Sequence, residues 1–156
     1  GDARLAFIAN GSLANLALRQ GRITDAIQRY EAIVPLCRQS GDQWMLATLL
    51  SNFGIALVRV EERARATTLL QESLLIYRQI GDEAGTASAL SNLDEALGDE
   101  GIGSSLALES LEIAQRLDAP YLLGPAHLHL GVAAMRRSIA TKRPLASPRA
   151  GRGAHR

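Results

Sequence analysis

The chain has 156 residues, of which 47% are hydrophobic, 21% charged and 4% aromatic, a composition typical of a globular, helix-rich protein. Its one cysteine, Cys37, excludes an internal disulfide, and no uncharged apolar run is long enough to predict a membrane-spanning helix. The net charge of +1 conceals an asymmetry, because residues 1–135 hold 10 Lys/Arg against 16 Asp/Glu, whereas residues 136–156 hold 7 Lys/Arg and no acid.

Apolar periodicity and cap residues predict seven helices joined by short turns. In chain order they cover about 3–20, 24–40, 43–60, 63–80, 84–97, 104–117 and 121–140. From Thr141 onward the chain carries Pro144, Pro148 and several basic residues but few large apolar ones. Such a segment buries too little surface to offset its ordering entropy, so residues 142–156 are predicted to be a disordered basic tail.

Several local signals refine these helices. On the first helix, spacings of three and four predict one buried face. Thr24 is predicted to cap the second helix, and Pro35 to kink or shorten it because proline lacks a backbone donor. Cys37 is expected to be a buried structural thiol, as free cysteine usually is. The residues of that first predicted face are Leu5, Ile8, Ala9, Leu13, Leu16 and Ala17.

One phrase occurs twice at a spacing of 40 residues. Arg38–Asp42 reads RQSGD and residues 78–82 read RQIGD, while residues 50–53 and 90–93 read LSNF and LSNL. A fixed period of this length indicates stacked helix pairs, here about 3–42, 43–82 and 83–120, followed by the terminal helix. In each copy, the glycine suits a left-handed helix end and the aspartate suits the next N-cap. The sequence therefore predicts an all-α solenoid within residues 1–141.

Small and large residues recur in a fixed order, and this order resembles the tetratricopeptide repeat in a form about 40 residues long. The third unit departs by placing Asp94 where a small residue is expected, and it carries one extra residue before Ala107. The resemblance implies a right-handed superhelix of antiparallel helix pairs that acts as a protein-binding module. The matching residues are Leu13, Ala14, Gly21, Ala26 and Tyr30, then Phe53, Gly54, Ala66 and Leu70, then Leu93, Gly101, Ala107 and Leu111.

The Gly-Asp boundaries, with Asn-Phe or Asn-Leu in the following helix, also look like the C-terminal arrays of large bacterial signalling ATPases. These are the LuxR-type and SARP-type transcriptional regulators and some adenylate cyclases, whose arrays end in a helix similar to residues 130–139. This resemblance implies a regulatory segment with neighbouring domains in a longer parent chain. The first residue, Gly1 rather than Met, agrees with that expectation.

In a tetratricopeptide stack, the first helix of each unit lines the concave groove. A side-chain amide can donate to and accept from a peptide backbone, so asparagines one repeat apart suit a peptide held in register. The alternative is that Asn52 and Asn92 bridge neighbouring helices or face water. The predicted groove residues are Ser12, Asn15 and Arg19, then Ser51, Asn52 and Arg59, then Ser91, Asn92 and Glu95.

No residue spacing supports catalysis, a cofactor or a metal. The turn at Gly98–Ser105 lacks the lysine of a nucleotide loop, and His127 and His129 point apart on a helix. The basic tail is expected to be solvated, to make a weak polyanion contact, or to dock on the acidic body, and without aromatic residues it does not suit base stacking. We therefore expect a non-catalytic, cytoplasmic scaffold that binds a protein or peptide. Self-association is a further expectation, because solenoid ends expose apolar edges.

Overall fold

The computed structural model describes residues 2–98, 103–119 and 122 and contains six α-helices within them. The predicted terminal helix at 121–140 and the tail at 142–156 lie outside this part of the chain. Each helix begins and ends within one or two residues of its predicted position. The helices are α1 (Asp2–Arg19), α2 (Ile23–Ser40), α3 (Gln43–Arg59), α4 (Arg63–Ile80), α5 (Glu83–Leu97) and α6 (Gly103–Arg116).

The repeated Gly-Asp phrase separates the helix pairs as predicted. Gly41 and Gly81 end α2 and α4 in the left-handed conformation, with φ of 75° and 72°. Asp42 then caps α3 by accepting from the Met45 N–H at 3.0 Å, and Asp82 caps α5 by accepting from the Gly85 N–H at 2.8 Å. Each Gly-Asp phrase therefore ends one helix and caps the next.

The expected cap of α2 was wrong, and one of the two alternatives expected of Pro35 is excluded. Thr24 lies inside the helix, which begins at Ile23, and the N-cap residue Arg22 makes no side-chain cap hydrogen bond. Pro35 does not shorten the helix, which continues to Ser40. Since Pro35 is exposed, the backbone carbonyl that its missing N–H leaves free can be solvated by water.

The six helices form three pairs, α1–α2, α3–α4 and α5–α6. The first helices α1, α3 and α5 pack side by side, whereas within the described residues the backbones of α2 and α4 do not approach within 8 Å. The side chains of Arg38 and Arg65 span that wider gap to Glu72 and Glu31. The array therefore curves, with the first helices on its inner, concave side.

The third pair has a different register from the predicted one. Ser73 Oγ donates to the Ala47 carbonyl oxygen at 2.8 Å, and Ser110 Oγ donates to the Ala87 carbonyl oxygen at the same distance. The serines are 37 residues apart although the carbonyls are 40 apart, so Ala107 occupies the place of Leu70. The sequence separation between the two bonded residues is therefore 23 in the third unit against 26 in the second, three residues shorter rather than one longer. A small residue at Ala107 makes room opposite the buried Asp94, which stands where the second unit has a glycine.

The predicted buried face of α1 is mostly exposed. Leu5, Ile8, Leu13 and Leu16 are 65%, 45%, 48% and 47% exposed, and only Ala17 of the predicted set is buried. Phe7, Gly11, Ala14 and Leu18 form the face that packs on the rest of the chain. The periodicity found an apolar face, but it could not show which of two such faces has a neighbour.

The turn between α3 and α4 contains a strained residue. Glu61 has φ of +62°, in the left-handed region, at the position that Gly21 occupies with φ of +76° one repeat earlier. Glu61→Gly should raise the free energy of unfolding by about 0.5–1 kcal/mol, because relief of strain outweighs the extra freedom of the unfolded chain. Urea denaturation measures this. Glu61→Ala is the control, since it removes the charge but keeps the strain, and equal stability of the two variants would contradict the prediction.

Cys37 is fully buried, as predicted for a structural thiol. Burial raises the pKa of this thiol, which further lowers its reactivity. Among the helices that the structure describes, none is both long and apolar enough to cross a membrane.

Candidate functional site

The inner surface of α3 carries a solvent-facing stripe of five side chains. Their spacings of four, four, three and four residues keep them on one face, while the remaining faces pack on α1, α2, α4 and α5. The stripe is amphipathic, with an aromatic residue at its N-terminal end and a cation at its C-terminal end. Its residues are Trp44, Thr48, Asn52, Ile55 and Arg59.

Equivalent positions on α1 and α5 extend the stripe across all three units, and we call the combined surface the inner stripe. Seven of the nine predicted groove residues lie on it. Contrary to the prediction, Ser51 and Ser91 do not face the groove, because both residues are buried. Each lies one residue before an inner-stripe asparagine and is therefore turned by about 100° toward the neighbouring helices. The seven predicted residues on the stripe are Ser12, Asn15, Arg19, Asn52, Arg59, Asn92 and Glu95.

The asparagines of the inner stripe differ in what they contact. Asn92 Nδ2 donates to Ser51 Oγ at 3.0 Å and so bridges α5 and α3, which was the alternative to peptide contact. Asn15 Oδ1 accepts from the Tyr30 hydroxyl at 2.6 Å, and burial raises the pKa of that hydroxyl above its usual range. One repeat before Ser51 the chain has Gly11, so Asn52 has no serine hydroxyl to bond as Asn92 bonds Ser51. Within the described chain its amide makes no hydrogen bond, so it remains available to a ligand.

Trp44 was missed by the sequence reasoning. It is 45% exposed, and its Nε1 donates to Asp82 Oδ2 at 2.8 Å while the other carboxylate oxygen of Asp82 caps α5. Arg4 makes the same contact with Asp42 one repeat earlier, with Nε 3.3 Å from Oδ2. Arg4 and Trp44 are 40 residues apart, as are Asp42 and Asp82. This shared spacing was the sequence signal that could have identified Trp44.

Two arginines of the inner stripe carry charge that no protein group neutralises. In the part of the chain that the structure describes, Arg19 and Arg59 make no ion pair or hydrogen bond, and they lie one repeat apart. Every other arginine there bonds a carboxylate or, for Arg63, the carbonyl oxygens of Glu95 and Ala96 at 3.2 Å. The paired arginines are Arg4, Arg22, Arg29, Arg38, Arg65, Arg78 and Arg116.

The site offers groups that are suited to binding. Across residues 2–98, 103–119 and 122, no group of three or more His, Cys, Asp or Glu side chains could hold a metal ion. His127 and His129 lie outside those residues, as do residues 99–102 of the Gly98–Ser105 turn. What the inner stripe presents is an aromatic face, hydroxyl and amide groups and two cations, which suit recognition of a polypeptide.

Comparison with known proteins supports the predicted resemblance. The tetratricopeptide repeat family model matches residues 5–79, which cover the first two helix pairs. These two pairs are similar to that family, and the described helices form the all-α solenoid that the sequence predicts.

Two particular proteins are similar to the chain. Regulatory protein AfsR of Streptomyces coelicolor is 27% identical over an alignment of 138 residues that covers 86% of this chain but only 14% of AfsR. The crystal structure of BtubC (BKLC) from P. vanneervenii superposes with a TM-score of 0.75 over 99% of this chain and 72% of BtubC, at 21% identity. At that identity the likeness concerns the fold alone.

Proposed function

We propose that this chain is a non-catalytic, cytoplasmic interaction module that binds a peptide or a helix along the inner stripe. The observation that carries the proposal is the stripe on α3, which combines the exposed Trp44, the unbonded amide of Asn52 and the unpaired Arg59. Each of these groups can contact a ligand without breaking a bond that holds the solenoid together. The likeness to a regulatory protein supports a role in protein interaction.

Trp44 provides a direct test because it is the only tryptophan in the chain and lies on the proposed site. A displayed random-peptide library is selected on the wild-type chain, and the recovered peptides are titrated while tryptophan fluorescence is recorded. Arg59→Ala should weaken binding about tenfold or more, since a hydrogen bond to a charged group contributes about 1.5–3 kcal/mol. Asn52→Ala should weaken it about fivefold, as for one neutral hydrogen bond.

Gln71→Ala is the matched control, because Gln71 is exposed on α4, away from the inner side. Its affinity should equal that of the wild type. Asn92→Ala is less informative, since it also removes the bond to Ser51. Peptides that bind Arg59→Ala and Asn52→Ala as tightly as the wild type would rule out the inner stripe as the site.

A second candidate is a sensor or regulatory segment of a larger signalling ATPase or transcriptional regulator. The chain spans 14% of the length of AfsR, and this supports a role as one segment among several domains. The sequence of the gene upstream of Gly1 tests this candidate. A nucleotide-binding loop encoded there would support it, and an unrelated preceding reading frame would oppose it.

A further inference from the structure

The solvent-exposed apolar surface of α1 has the character of an internal packing surface. One repeat on, Leu5, Ala9 and Leu13 correspond to Met45, Leu49 and Phe53, which are 4%, 2% and 4% exposed because α2 packs beside them. In α1 the same positions face solvent within the described structure. Large apolar side chains grouped on one helix face in this way mark an interaction surface.

The order of residues on this face is symmetric about the middle of the helix. α1 runs from residue 2 to residue 19, so in an antiparallel pair of α1 helices residue n of one copy lies level with residue 21 − n of the other. Leu5 is then level with Leu16 of the second copy, and Ile8 is level with Leu13. The small residues at positions 9 and 12 meet at the centre, where they allow close approach.

The charges at the two ends of α1 are complementary in the same arrangement. Asp2 lies level with Arg19 of the second copy, and neither side chain has an ion pair within the described residues. Antiparallel helices also place opposite ends of their dipoles side by side, which is favourable. A parallel arrangement would instead bring like charges together at both ends.

The second helix extends the same face of the solenoid. A cleft of about 390 Å³ between α1 and α2 is lined by Asn10, Gln28, Ile33 and Leu36, among others. Leu36 is 56% exposed, whereas its equivalent one repeat on, Ile76, is buried. The surface available to a second copy is therefore wider than α1 alone.

We propose that two copies of this chain associate through their α1 faces as an antiparallel, two-fold symmetric dimer. The interface consists of Leu5, Ile8, Leu13 and Leu16 from each copy, flanked by ion pairs between Asp2 and Arg19. Such an interface is isologous, with the same surface used on both copies, and it therefore closes at two. The contact includes Ile8, Ser12 and Arg19, which belong to the inner stripe on α1, but it leaves the part of the inner stripe on α3 exposed.

The oligomeric state of the full chain, measured by sedimentation velocity over a concentration series, tests the proposal. The wild type should be a dimer that dissociates on dilution. The double variant Leu5→Glu/Leu16→Glu should raise the dissociation constant at least about a hundredfold, since four buried leucines are lost from the interface. These leucines are exposed in one copy, so far-UV circular dichroism should be unchanged.

Leu75→Glu/Leu108→Glu is the matched control, because Leu75 and Leu108 are 56% and 50% exposed on α4 and α6. This control should dimerise like the wild type. A monomeric wild type would overturn the proposal and point to a different covering element. Equal dissociation constants for the two double variants would also overturn it.

Charge reversal tests the antiparallel arrangement separately. Asp2→Arg alone and Arg19→Asp alone should each weaken the dimer about tenfold, because each places like charges level with one another at both ends. A mixture of the two single variants should associate as tightly as the wild type, since every pair then has opposite charges. Single variants that bind like the wild type, or a mixture that stays weak, would exclude this arrangement.

Discussion

Replacing Gly54 with alanine should lower the free energy of unfolding by about 1–3 kcal/mol, although alanine favours helices over glycine by about 1 kcal/mol. The reason is the close approach of α3 and α4 at this position. A Cβ atom on Gly54 would lie 2.5 Å from Leu70 Cγ and 2.8 Å from one of its methyl groups. Both residues are buried, so neither helix can move without disturbing its other contacts.

A double-mutant cycle isolates this contact. Leu70→Ala alone should cost about 2–5 kcal/mol because it leaves a cavity in the core. In that background Gly54→Ala should no longer destabilise, since the atoms that the new Cβ meets are gone, and its helix propensity should then appear as a gain. Urea denaturation of the four proteins measures the cycle. Additive effects would show that Leu70 is not the cause.

The other two units have different pairs at these positions. The third unit has Asp94 and Ala107, so a larger residue on the first helix is matched by a smaller one on the second. The first unit has Ala14 and Tyr30, both larger than Gly54 and Leu70, so this compensation in size does not extend to all three units.

Phe53→Ala should be the most destabilising change of those considered, at about 3–5 kcal/mol. Phe53 is 4% exposed, and its ring stacks on Tyr30 of α2 with centroids 5.6 Å apart and planes 21° apart. The guanidinium of Arg65 lies over the same ring, 5.0 Å from its centroid. Phe53 therefore joins α2, α3 and α4, and its loss weakens packing within the second unit and between units.

Phe53→Leu is the informative control, because Leu13 and Leu93 occupy the equivalent positions in the other units. It should cost only about 1–2 kcal/mol, since most of the apolar volume is kept while the aromatic stacking and cation–π contacts are lost. Thermal unfolding followed by circular dichroism compares the two variants. Leucine as harmful as alanine would mean that ring contacts, not filled volume, dominate at this site.

The inner stripe was predictable to the extent that it follows helical register. Asn52 and Arg59 were identified because the repeat fixes which helix of each pair is the first, and the period fixes which positions share a face. The burial of Ser51 was missed, because a rotation of one residue decides between groove and core and the repeated Ser-Asn phrase contains both. Trp44 was missed because its contact with Asp82 joins residues 38 apart, and a period shows which positions are equivalent but not which side chains touch.

The sequence by itself determined the helices, the Gly-Asp caps and the pairing of helices into repeats, because these depend on local geometry and on a period that the residues carry directly. The tertiary structure alone decided which apolar face of α1 is covered, where the third unit shifts by a helical turn, and which arginines remain unpaired. Each of these depends on which neighbour is present at a distance of one repeat. Periodicity shows that a face is apolar, but only packing shows what lies against it.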